Sequence, residues 1–208
     1  MDLSSNMNKK MIKEHLIYFS WLYVIALIFS IALWLWILPA KTKIKASEKV
    51  GVFVGIKTID DIALKEKIMN NDQELLDTII YYQDVDNYYF TSYLQSAGKQ
   101  SSDFFILPSS ISNDLIQALC ISFTPDEWSA EFNNVTDFKK IDEKAYGILL
   151  NKNDESLNKI FSFDDEKDEE YYLFINRKSN NFKGFYEPNN KQIKTDHALK
   201  AIHTIIDK

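Results

Sequence analysis

Apolar positions along the chain follow two regimes. Leu16 to Leu38, LIYFSWLYVIALIFSIALWLWIL, carries no charged residue and is long enough to span a bilayer as a helix. Tyr18 and Trp21 near one end, and Trp34 and Trp36 near the other, match interfacial aromatic anchors. From Val50 onward, short apolar runs alternate with helical patterns. VGVFVGI (50–56) predicts a central strand, DDIALKEKIMN (60–70) a helix opened by a capping-type Asp, and TIIYYQDV, between Leu76 and Val85, a second strand. YYFTSYLQSAGK (88–99) predicts a helix with Gly98 as its C-cap. In SSDFFILPSS, the all-apolar Phe104 to Leu107 reads as a strand buried on both faces, ending at Pro108. Asn113 to Phe123 predicts a helix capped by Ser112 or Asn113, with Leu115, Ile116, Leu119 and Phe123 on its apolar face.

Strand, helix, strand, helix, strand, helix is the signature of an α/β unit with a parallel sheet and right-handed crossovers. The second half predicts a turn-rich connection over FTPDEWSAEFNNVTDFKKID, then strands at AYGILLNK (145–152) and YYLFINRK (171–178). Between these strands the acidic DDEKDEE (164–170) reads as a solvated connection, and DHALKAIHTIID (196–207) as a closing amphipathic helix. The expected layout is a cytoplasmic tail (1–15), a transmembrane helix (16–38), a linker (39–47) and one α/β domain (48–208). Leu38-Pro39-Ala40 lacks the paired small residues of a cleavage site and no cysteine follows to take a lipid, so an uncleaved anchor is expected. Lys9, Lys10 and Lys13 balance Lys41, Lys43 and Lys45 across the span. A short tail before one span and a long domain is a signal-anchor layout, which puts residues from about 47 onward outside a single-pass cell-membrane protein.

Composition narrows the function. With 46% hydrophobic residues, 5 Gly and 4 Pro, the chain is that of a folded protein with little material for Gly-rich phosphate loops. A net charge of -6 and a single arginine, Arg177, exclude the clustered cations of a nucleic-acid binder. Cys120 stands alone, which excludes an intrachain disulfide and a Cys-rich metal site and predicts a small buried apolar side chain.

In parallel α/β sheets ligands bind beyond the carboxyl ends of the strands, which here places Lys57, the Asp84 to Asn87 turn, and Ser109 with Ser110. The two serines leave room for a ligand and offer hydroxyls, or cap the following helix. Asp84 and Asp86 could hold a divalent cation, but two acids two residues apart read better as a solvated turn. His197 and His203 lie on different faces of the last helix, and neither HExxH nor G-x-S-x-G occurs. No catalytic residue, metal or cofactor is expected. Trp128, the one tryptophan outside the anchor, is a packing residue or a ring on which a sugar stacks.

Taken together, VGVFVGI, YFTSYLQSAGKQSSDFFILPSS, EKAYGILLNK, YYLFINRKS and DHALKAIHTII resemble the first lobe of sugar-binding extracellular solute-binding proteins of bacterial ABC transporters, over most of residues 48 to 208. The resemblance implies a three-layer α/β domain like one lobe of a periplasmic-binding-protein fold, a saccharide as ligand class and a permease as partner. By position it puts Lys57, Ser109, Ser110 and Trp128 nearest the cleft. The chain is too short for the second lobe, and one lobe supplies half a cleft. The expectation is a membrane-anchored, extracytoplasmic, non-catalytic module that binds a small solute weakly or docks a transporter or envelope partner. The rivals are an envelope scaffold whose cleft is filled, and a metal-dependent glycosyl-transfer or hydrolytic enzyme using Asp84 and Asp86.

Overall fold

The computed structural model describes residues 3–42, 44–45, 48–124, 126, 132, 135–163, 169–179, 181–182 and 197–206. These form two units, an N-terminal helix and an α/β unit from Ile44 onward. The helix, α1 (Leu3–Thr42), contains one stretch, Ile17–Ile37, long and apolar enough to cross a bilayer. It continues beyond that stretch into both the predicted tail and the predicted linker. Lys, Glu and Met are good helix formers, and no residue before Pro39 interrupts the ladder.

The second unit is built on a mixed six-stranded sheet in the order β3-β1-β4-β8-β6-β5. β1 (Lys49–Val54) lies between β3 (Asp77–Tyr82) and β4 (Phe104–Pro108), parallel to both. β8 (Tyr171–Ile175) pairs antiparallel with β4 and with β6 (Lys144–Leu149), and β5 (Phe138–Ile141) closes the far edge antiparallel to β6. The expected parallel sheet is therefore confined to β1, β3 and β4. β5 falls in the stretch read as a turn-rich connection, since its FKKI has too few apolar positions to signal a strand. It reaches β6 through Asp142 and Glu143, both at positive φ (50° and 66°), the geometry of a two-residue hairpin turn written without Asn or Gly. β2 (Thr58–Ile59) and β7 (Phe161–Ser162) form a separate small ribbon, with the short α6 (Glu155–Asn158) just before β7.

Helices cover both faces of the sheet. On one face α2 (Asp61–Asn71) and α7 (His197–Ile206) pack Leu64, Ile68, Ala198, Ile202 and Ile205 against Val52, Val54, Phe104 and Ile106. On the other, α3 (Phe90–Tyr93), the π-turn Leu94–Gly98 that continues it, and α5 (Asn113–Leu119) pack Phe90, Leu94, Ile116 and Leu119 against Phe53, Phe105 and Leu107. β4 alternates between these two cores, and all five of its residues are buried, which is why its sequence has no polar face. Asp60 caps α2 by accepting the Ala63 amide at 3.0 Å, and Ser112 caps α5. α5 stops at Leu119, before the predicted Phe123, because Cys120 turns into extended backbone and bridges to Asn176.

Gly98 is not a C-cap. It has helical φ and ψ, and the helix continues through α4 (Lys99–Ser101). A β-carbon there would come within 2.8 Å of Phe53 Cδ2, so glycine lets the π-turn lie directly on β1. Gly51 is tighter still. Its β-carbon would lie 2.2 Å from the Ser101 carbonyl oxygen, a backbone atom that cannot rotate away.

A buried ion pair joins α2 to α7. Asp72 Oδ2 meets His197 Nδ1, Lys200 Nζ lies 3.4 Å from Asp72 Oδ1, and the Asn71 amide donates to Thr204 Oγ1 at 2.8 Å. Burial works against the charged form of Asp72. The hydrogen bond to His197, the His197 and Lys200 charges and the Glu74 amide outweigh it, holding the carboxyl below its ordinary range.

Two outcomes are expected. Gly51→Ala forces β1 away from the Ser101 carbonyl and lowers stability by about 1–3 kcal/mol, read from the thermal midpoint by circular dichroism. Because the Asp72 carboxyl is depressed in the folded state, its stabilisation is fully present above its unfolded value of about 4 and is lost as pH falls through the folded value. Melting curves on the acid side of about pH 4 should therefore drop more steeply for the wild type than for Asp72→Asn; equal slopes would mean that the pair contributes nothing.

Candidate functional site

The reversal in strand order falls between β1 and β4, and the carboxyl ends of both strands lie side by side there. That crevice is filled by the protein itself. Gly55 follows β1 with its amide donating to the Ile106 carbonyl at 2.8 Å. A β-carbon on Gly55 would come within 2.6 Å of Phe90 Cζ and 3.0 Å of Leu107 Cδ2, so two buried apolar side chains occupy the point where the loops diverge.

Lys57, the Asp84 to Asn87 turn, and Ser109 with Ser110 follow β1, β3 and β4. Ser109 and Ser110 are held by one carboxylate: the Ser109 hydroxyl donates to Glu169 Oε1 at 2.7 Å, and the Ser110 amide donates to the same oxygen at 2.8 Å. The Ser109 amide donates to the Glu170 carbonyl at 2.7 Å, and Lys139 Nζ donates to the Ser109 carbonyl at 3.2 Å. Neither serine caps α5, since Ser112 does so. Tyr172 extends the cluster by donating to Glu170 Oε2 at 2.6 Å, and burial together with that acceptor pushes its phenol well above the ordinary range. Glu169 and Glu170 end the acidic run expected to be a solvated connection; Glu169 is instead the ligand of the β4 terminus, and residues 164–168 lie outside the described residues.

Lys57 is exposed, and its carbonyl accepts the Tyr82 hydroxyl. Asp84 accepts the Asp86 amide at 2.9 Å through Oδ1, and the Asn87 amide donates to the Asp84 carbonyl at 3.1 Å, so this acidic pair builds its own turn. Among the described residues no group of three or more His, Cys, Asp and Glu side chains could hold a metal ion. Trp128 lies outside the described residues. After the turn, Tyr88 and Tyr89 are 91% and 67% exposed, with ring centroids 5.2 Å apart, edge to face. Cys120 is fully buried, which raises its thiol pKa far above the ordinary value and leaves it inert as a nucleophile.

The amino end of the sheet holds a second constellation, which the sequence did not reveal. Asp103, only 7% exposed, accepts the Gly51 amide at 2.8 Å and the Asn181 amide at 2.9 Å on Oδ2, and the Ser179 hydroxyl on Oδ1. Burial is the dominant influence on this carboxyl and raises its pKa despite these donors. Asn176 donates from its side chain to the Lys99 and Ser102 carbonyls. Ser179 and Asn181 lie 76 and 78 residues from Asp103, beyond any local motif.

Glu169→Ala should lower the thermal midpoint by the equivalent of about 1–2 kcal/mol, because it leaves the Ser109 hydroxyl and Ser110 amide without their charged acceptor. Glu169→Gln, which retains one acceptor oxygen, should lose less than half of that; an unchanged midpoint in the alanine variant would show that solvent replaces the carboxylate at no cost. Comparison with protein-family models, with curated proteins and with solved structures finds no match.

Proposed function

We propose that the chain is a non-catalytic, membrane-anchored docking module. In this reading α1 crosses the cell membrane once, residues from about 48 onward lie outside, and the α/β unit is a single solute-binding-like lobe that meets a permease or another envelope protein. The carrying observation is the plug at the β1/β4 crevice, where Phe90 and Leu107 occupy the place a solute would enter and Glu169 engages both hydroxyl-bearing loop residues. A small saccharide would have to displace the buried side chains of Phe90 and Leu107, which leave no room even for a β-carbon on Gly55, and break a charge-assisted hydrogen bond.

Next to Phe90 in the chain, the exposed rings of Tyr88 and Tyr89, set edge to face, offer amphipathic aromatic contacts of the kind that anchor protein interfaces. The filled crevice favours docking over weak solute capture. Asp84, whose Oδ1 accepts a neighbouring amide, gives the enzymatic rival no support.

The test uses the full chain in the membrane of producing cells, with a photocrosslinking amino acid at position 88 or, as control, at position 143 in the β5–β6 turn. A discrete adduct from position 88 that is lost in Tyr89→Ser and absent from position 143 is the expected result. In parallel, mono- and oligosaccharides should leave the thermal midpoint of the purified protein unchanged; a saccharide-dependent rise abolished by Ser109→Leu would overturn docking and restore the solute reading.

A further inference from the structure

α1 is one continuous helix from Leu3 to Thr42, yet only Ile17–Ile37 within it is apolar enough to cross a bilayer, so the helix begins well before the span. At about 1.5 Å per residue, position 13 stands about 6 Å outside the start of the span and position 10 about 10 Å. Lipid headgroups occupy roughly the first 5–8 Å beyond the hydrocarbon. A lysine at either depth reaches them with its flexible stem. Tyr18 and Trp21, 80% and 59% exposed, sit just inside the same boundary, where interfacial rings are found.

Lys9, Lys10 and Lys13 occupy this stretch of helix. At about 100° per residue the three positions fall within about 100° of arc, so they form one stripe rather than a ring. Charge segregates with the fold. The unit that ends at Lys43 holds five of the 24 cations and two of the 30 acids, Asp2 and Glu14, for a net +3, and leaves -9 on the rest of the chain. The far end of the span is different, because Pro39 precedes Lys41 and Lys43 there and Lys45 is paired with Glu48 at 3.3 Å. The cationic stripe therefore belongs to the N-terminal end.

We propose that the N-terminal end of α1 is a binding surface for anionic phospholipid headgroups, with Lys9, Lys10 and Lys13 making the contact. The inference rests on the reading of α1 as a membrane span and is independent of the docking surface at Tyr88 and Tyr89. Charge complementarity selects the partner: an anionic headgroup brings a net negative charge to the depth at which the stripe stands, whereas a zwitterionic one carries its own cation and gains little from the lysines. Free phosphate has no acyl chains to hold it at that depth.

The experiment uses the full-length protein in vesicles of mixed phosphatidylglycerol and phosphatidylcholine, with bromine on the acyl chains of one lipid at a time to quench tryptophan. Trp34→Phe and Trp36→Phe leave Trp21 as the one tryptophan of α1, so the quenching reports its N-terminal end. Brominated phosphatidylglycerol should quench more strongly than brominated phosphatidylcholine at equal mole fraction, a preference that weakens with salt and survives added inorganic phosphate at constant ionic strength. Each lysine changed to Gln should lower the preference by up to about fivefold, and changing Lys9, Lys10 and Lys13 together should abolish it, while the same three changes to Arg preserve it. Gln is a good helix former, so α1 itself is retained. Equal quenching by the two lipids, or a preference that persists in the triple Gln variant, overturns the headgroup site and leaves the span intact. No quenching by either lipid overturns the span as well.

Discussion

Asp103 is the constraint on which the α/β unit depends. A carboxylate taken out of water costs several kcal/mol unless donors meet it, and the donors here come from three distant parts of the chain. The Gly51 amide belongs to β1, Asp103 itself precedes β4, and Ser179 and Asn181 follow β8. Meeting one buried acid therefore fixes where β1 and β4 start and β8 ends relative to one another. The near contact of Gly51 with the Ser101 carbonyl is part of the same arrangement, because the amide can reach the carboxylate only where the two backbones touch. A one-residue slip of β1 would break the hydrogen bond and turn Val52 and Val54 from one core to the other.

With the amino ends pinned, the two hydrophobic faces do different work. The α2/α7 face is aliphatic on the helix side and is clamped at its edge by the Asp72–His197 pair. The opposite face is aromatic: Phe53 lies 5.9 Å from Phe90 and 6.3 Å from Phe105, in edge-to-face contacts. This aromatic layer runs to the carboxyl end of β1, where Phe90 arrives at Gly55 and closes the crevice. Closure there is thus a product of core packing on one face rather than a separate lid.

The periodicity of the first half made its elements readable. Runs such as FFIL, bounded by Ser and Pro, and the Asp60 and Ser112 caps are local signals, and each is borne out by a strand or a helix start. The second half is less legible because its information is non-local. β5 is an edge strand whose FKKI packs against β6 on one side only, and its turn uses Asp142 and Glu143 at positive φ, where sequence reading looks for Asn or Gly. The antiparallel setting of β8 depends on which partners it meets. Ser109 and Ser110 follow β4, whose Pro108 end is a local signal. Their occupancy by Glu169, 60 and 59 residues away, could not be read from an acidic run that resembles a solvated loop. Asp103 was hidden in plain view, as the polar residue before an apolar run, where it reads as punctuation.

The two ends of the sheet then stand in an unusual relation. A doubly wound sheet opens toward its carboxyl ends because the loops splay apart at the strand-order reversal. In this chain the splay is taken up by Phe90 and Leu107, and the polar groups around it already hold one another. At the amino end, by contrast, Gly51 lets two backbones meet, beside a cleft whose lining includes Lys49 and Lys178. The demand for a buried acceptor at Asp103 draws nearby donors inward, yet it leaves the Ser102 hydroxyl out, since the carboxylate oxygens are already taken by Gly51, Ser179 and Asn181. The constellation that sets the strand register therefore leaves an enclosed hydroxyl beside it, that of Ser102, without a partner.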